Sequence, residues 1–170
     1  MQPFQASLLL GMIAFASGLT VEASRAGSSC ESPRHWETYI VERFGTRIEV
    51  PVDCFQQRTE IQDGWLFETA DGKAKLAVYG SPNADDRDPR SLKRWLVEEV
   101  GGYDRVTYSP MGKTWLVLSG YRKGDIFYEK YLLSDHGQVL NSFWMTFPRS
   151  AKPVFSPLIE RVEDSFRSGG

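Results

Sequence analysis

The sequence predicts an α+β domain, one antiparallel β-sheet of about six or seven strands flanked by helices. Three observations lead there. Residues 113–147 read as a meander of three strands (113–121, 125–133 and 138–147), separated by the turn signals Arg122-Lys123-Gly124 and Ser134-Asp135-His136-Gly137. Helical periodicity is confined to residues 89–100 and to a final stretch ending near Arg167. The resulting order is strands, helix, strands, helix with hairpin connections, which argues for one antiparallel sheet with helices packed on it.

The elements follow in chain order. Tyr39-Ile40-Val41 is β-branched and aromatic, Glu42 to Gly45 supplies a turn, and Ile48 and Val50 alternate along 46–50. Pro51, without an N–H, ends that strand. Cys54-Phe55 is an apolar anchor, and residues 56–62 read as a polar linker. Residues 65–69 and 73–79 form a hairpin about Ala70-Asp71-Gly72, since Asp-Gly suits positive φ. Residues 81–88 form a polar loop. Asp88-Pro89 then starts a helix, with Asp as N-cap and Pro in the first turn. Leu92, Trp95, Leu96 and Val100 make its apolar stripe, and Gly101-Gly102 stops it.

Residues 103–108 form a short strand, turned at Pro110-Met111-Gly112. In the middle strand of the meander Ile126, Tyr128, Lys130 and Leu132 face one way, and Phe127, Glu129, Tyr131 and Leu133 the other. Both faces are largely apolar, as in a central strand covered on both sides. In the last strand Val139, Phe143, Met145 and Phe147 share a face with Asn141. Ser156-Pro157 repeats the cap-plus-proline start, and Phe155, Ile159, Val162 and Phe166 form the stripe of the final helix.

The 170 residues divide into 1–23, a signal peptide; 24–35, a flexible lead-in; and 36–168, a single globular domain. Residues 8–21 are an uncharged apolar run followed by small-residue cleavage sites before Ser24 or Gly27, although residues 1–7 lack the usual Lys or Arg. The run is short for a spanning helix, and no later stretch is long and apolar enough to cross a membrane. Cleaved export to a periplasm or the exterior is therefore expected, with retention as a membrane tether the alternative. The net charge of −2 favours neither nucleic acid nor an anionic surface.

Only two cysteines occur, Cys30 and Cys54. In an oxidising compartment they are most simply a disulfide, closing a loop of about 25 residues worth about 3 kcal/mol. A lipid-anchored Cys30 and two free thiols are the other readings. The preceding Gly27-Ser28-Ser29 is a poor lipidation signal.

Catalytic signatures are absent from the sequence. The histidines, His35 and His136, fit no metal motif. The acidic loop 83–88 lacks the spacing and glycine of a calcium loop. No Gly-x-Ser-x-Gly elbow occurs, no carboxylate pair can be placed across a cleft, and no glycine-rich loop opens a helix. Cys54 with His35 or His136 is a conceivable nucleophile pair, set against the disulfide. Catalytic, cofactor and metal residues are therefore assigned to none. Arg87, Arg90, Lys93 and Arg94 form a basic cluster at the first helix. It reads either as a solvated face or as a partner-docking edge.

Several stretches carry a resemblance: Phe44-Gly45 with Ile48 and Pro51; Asp63-Gly64, Phe67 and 71–74; Val78-Tyr79-Gly80; 115–120; 128–130; Phe147-Pro148; and Ser165-Phe166. Together, over roughly 36–167, they resemble small secreted bacterial proteins of unassigned activity. Their layout is similar to the PsbP-like α/β/α sandwich of the extrinsic photosystem II subunit and of a Ran-binding release factor. The resemblance implies that fold and, by analogy, a binding or assembly role without cofactor. It implies no site residue here. The expected function is thus a non-enzymatic accessory module on an envelope protein, with no nucleic-acid partner. The alternatives are a small-molecule carrier or enzyme with an unrecognised site, and a membrane-tethered structural protein.

Overall fold

The computed structural model describes residues 29–169. The signal segment 1–23 and the start of the lead-in lie outside the described residues.

Among the described residues nine strands and two principal helices follow one another. Strands β1 (Trp36–Val41) and β2 (Thr46–Pro51) form a separate antiparallel hairpin. Then come β3 (Gln57–Ile61), β4 (Gly64–Glu68) and β5 (Lys75–Pro82). Helix α1 begins at Pro89–Arg94 and continues through a widened π turn, Trp95–Val100. Next are β6 (Arg105–Tyr108), β7 (Trp115–Arg122), β8 (Asp125–Ser134) and β9 (Val139–Phe147). Helix α2 (Lys152–Ser165) follows.

The seven later strands make one antiparallel sheet in the order β3-β4-β5-β9-β8-β7-β6. The predicted meander is its β7-β8-β9 half, in the register Leu118↔Glu129 and Glu129↔Trp144. Strand β9 then pairs with β5, Val78 opposite Phe143, which joins the meander to the first hairpins.

Alternation on these strands makes two cores. On one face Leu76, Val78, Phe143, Met145 and Phe147 pack against Phe155, Leu158, Ile159 and Val162 of α2 and against Ile48 and Val50 of β2. On the other face Leu116, Leu118, Phe127 and Tyr131 pack under Leu92 and Leu96 of α1. Each fully buried aromatic or aliphatic side chain here contributes about 1.5–3 kcal/mol. Asn141, the polar residue among apolar neighbours, is satisfied. Its Oδ1 accepts from Thr46 Oγ1 (2.7 Å), and its Nδ2 donates to the Leu132 carbonyl and to Ser134 Oγ. It thereby ties β2 to the centre of the sheet.

Four local expectations are corrected. Residues 57–61 are an edge strand, with every residue exposed. Their backbone pairs with β4 although the side chains contribute no core, and a polar edge strand protects a sheet from further pairing. Pro51 lies within β2 opposite Trp36, where an outer strand tolerates a missing donor. Helix α2 starts at Lys152, with Pro153 in its first turn, so Pro157 is internal and Ser156 caps nothing. It ends at Ser165, and Arg167 exchanges backbone hydrogen bonds with Arg47, both 2.9 Å. In α1 the π turn breaks the 3.6-residue period. Leu92 and Leu96 stay buried while Val100 is 54% exposed. Gly101 and Gly102 stop the helix at positive φ (65° and 81°).

Candidate functional site

Helix α1 is fixed at its start by Asp88, whose Oδ1 accepts from the Ser91 N–H (2.7 Å). Hydrogen bonds from Ser91, side chain and backbone, hold the Asp88 carboxyl below its ordinary range. The loop before it is braced by Asn83. The Asn83 side chain donates to the Gly137 and Arg87 carbonyls and accepts from the Arg87 N–H. Asp86 accepts from Gln138. The oxygens of this loop thus serve the loop itself.

Within the basic cluster the structure separates two pairs. Arg87 lies 4.4 Å over the Trp95 ring and pairs with Asp85. Lys93 donates to Ser109 Oγ (2.7 Å), pinning α1 to the β6–β7 connection. Arg90 and Arg94 are exposed. Val97 and Val100 are exposed on the same helix. Of the seven exposed large hydrophobics among the described residues, Val97, Val100, Tyr108, Met111 and Trp115 belong to α1 or to the β6–β7 segment. They are divided between the two faces, since Tyr108 lies with Tyr128, Phe147 and Ile159 on the α2 side of the sheet.

A cleft of about 310 Å³ opens between α1 and the sheet. Trp95, Leu96 and Val100 line it from the helix, and Trp144, Leu140 and Tyr79 from β9 and β5. Its polar floor is Glu129, 3% exposed. Glu129 Oε2 accepts from the Tyr103 (2.7 Å) and Tyr131 (2.9 Å) hydroxyls, and Oε1 lies 2.7 Å from Arg122 Nη2. The Arg122 guanidinium stacks on Tyr103 at 4.5 Å and Phe127 at 5.1 Å. Burial and the neighbouring Glu129 carboxylate push the Tyr103 and Tyr131 phenols far above their ordinary value, so both remain donors. Burial also raises Tyr79. Ser142 Oγ, opposite both Tyr79 and Tyr131 in the ladder, makes no well-formed hydrogen bond and sits beside the Tyr79 phenol.

A second polar cluster joins β8 to α2. Glu163 accepts from the Tyr128 hydroxyl and from Lys130 Nζ (2.7 Å). Burial, with Glu163 alongside, pushes the Tyr128 phenol up. This cluster is a clamp, because each partner is engaged and α2 is the element it holds.

The remaining candidates resolve simply. Cys30 and Cys54 are bridged, with Cα atoms 4.5 Å apart, so Cys54 is not a free nucleophile. His35 pairs with Asp53 (3.2 Å) and His136 occupies a turn at φ 53°. Ser119 Oγ donates to the Phe127 carbonyl (2.8 Å). Among the described residues no three His, Cys, Asp or Glu side chains gather as metal ligands.

Sequence reasoning overlooked Glu129 and its partners as a site. The available signal was an acid on a face otherwise made of Phe127, Tyr131 and Leu133. Tyr103 and Arg122 reach it only through the sheet.

No family model matches the chain, and no curated protein does. Among solved structures, the solution structure of cyanobacterial PsbP (CyanoP) from Synechocystis sp. PCC 6803 is similar, with a TM-score of 0.57. The likeness covers 79% of this chain and 92% of that one, at 12% identity. At that identity it speaks for architecture, and the architecture is the PsbP-like one: a seven-stranded antiparallel sheet with helices on both faces.

Proposed function

We propose that this chain is an exported, non-enzymatic binding or accessory module that docks on a protein of the cell envelope. The observation that carries the reading is the pair of exposed apolar side chains, Val97 and Val100, on the same helix as the exposed Arg90 and Arg94. The buried disulfide is in keeping with an oxidising compartment, and the PsbP-like fold with a role in assembly. The buried ionised and phenolic groups engage one another, which suits a scaffold better than a catalyst.

Two measurements test this. Intact mass of protein from an exporting host is expected to start at Ser24 or Gly27. A full-length chain held in the membrane fraction would favour the tethered alternative. A photocrosslinker placed at Val97 is expected to trap one discrete envelope protein. The same probe at Ile40, exposed on the β1–β2 hairpin, should trap none. The Arg90→Glu/Arg94→Glu variant should abolish the crosslink with the melting temperature unchanged. Equal crosslinking from Ile40, or crosslinking indifferent to the arginines, would refute this docking face.

A further inference from the structure

We propose that the cleft between α1 and the sheet is a binding site for a small, uncharged, planar ring compound carrying a carbonyl or hydroxyl acceptor. Docking on an envelope protein is a separate matter and does not bear on it.

Glu129 is almost wholly buried, and its carboxylate is matched by Arg122 and by the hydroxyls of Tyr103 and Tyr131. The two phenols stay protonated, so the floor is neutral overall. A ligand bearing either charge would enter a partly desolvated space whose counter-charge is already engaged, at a desolvation cost nothing repays. An uncharged ligand meets no such cost.

Polarity comes next. Arg122 carries five N–H donors in one plane. Tyr103 and Phe127 lie together against one side of it, their own centroids 4.8 Å apart, and among the described residues Glu129 is the polar partner of its guanidinium, so the other N–H groups remain available. One of its nitrogens faces Glu129, and its side chain is 28% exposed beside the cleft. Donors outnumber free acceptors there, because Glu129 is engaged. The complementary ligand group is therefore an acceptor.

Shape follows from the walls. Trp95 on the helix and Trp144 on β9 both line the cleft, together with Leu96, Val100 and Leu140. Flat apolar rings suit aromatic walls, which offer large contact at small entropic cost. A volume near the lower end of ordinary ligand sites, roughly 300–1,000 Å³, fits one substituted ring. The wall that would adjust is the π turn, the irregular part of α1, followed at once by Gly101-Gly102.

Three near-isosteric probes separate the charges: benzamide, benzoate and benzylamine. Titrated into the full mature protein, benzamide is expected to shift the Trp95 and Trp144 indole N–H and the Gly101 and Gly102 amide resonances saturably. Benzoate and benzylamine should bind about tenfold more weakly or worse. Glu129→Gln keeps an acceptor for the tyrosines but leaves Arg122 uncompensated, so it should reverse the order and favour benzoate. Val100→Trp alters an exposed position at the mouth and should block benzamide while the fold is retained. The proposal is overturned if benzamide moves none of these resonances at millimolar concentration, if the charged probes bind the wild type as well, or if folded Val100→Trp binds benzamide undiminished.

Discussion

Replacing both Cys30 and Cys54 with alanine tests how the N-terminal part of the domain is held. The bridge joins residues 24 apart in sequence, and a closed loop of that length restricts the unfolded chain by about 3 kcal/mol at 25 °C on the chain-entropy model. Both sulfurs are buried, Cys30 4% and Cys54 2% exposed, so a small packing loss adds to this. For a domain of this size a loss of about 3 kcal/mol corresponds to roughly 10 °C in Tm. The double variant avoids a stray thiol, and urea unfolding followed by tryptophan fluorescence reads both stability and slope. Stability should fall by about 3 kcal/mol, and the slope m should rise, because the uncrosslinked unfolded chain exposes more surface. A fall below about 1 kcal/mol with m unchanged would refute the reasoning, since the bridge would then not be constraining the unfolded state.

Two further predictions concern polar groups. Arg122→Met leaves the Glu129 carboxylate buried without its cation and should cost about 2 kcal/mol, less than for a wholly buried pair because Arg122 is partly exposed. Adding Glu129→Gln should recover most of that loss in a double-mutant cycle, and a strictly additive double variant would show that the two do not interact. Asp53 gives a pH signature: partial burial raises its carboxyl, but hydrogen bonds from the Arg34 and His35 N–H groups and the His35 ring outweigh this and set it below its ordinary value. A folded-state value below the unfolded one adds stability that is complete above about pH 4 and is lost as pH falls through the folded value. Asp53→Asn should therefore flatten the acid limb of a stability–pH curve and leave neutral pH least altered in slope; an unchanged acid limb would count against the contact.

The sequence determined by itself whatever depends on neighbours along the chain. The two-residue alternation of β8 and β9 reflects the two covered faces of a central strand, so the meander and its facing residues were legible. Asp88-Pro89 and Gly101-Gly102 fix the ends of α1 through backbone chemistry that operates within one turn. The Cys30–Cys54 pairing follows from there being just two cysteines, once compartment is granted. Tertiary structure decided the rest. Residues 57–61 are a strand only because β4 supplies hydrogen bonds, since their polar side chains give no local preference for one. Pro157 lies inside α2 because the buried stripe of Phe155, Leu158, Ile159 and Val162 outweighs one missing hydrogen bond. The cleft exists because β9 returns to pair with β5, and because β7 and β8 bring Arg122 and Glu129 under a helix more than twenty residues upstream. Such a site is assembled by long-range pairing, and local periodicity carries no record of which distant groups will meet.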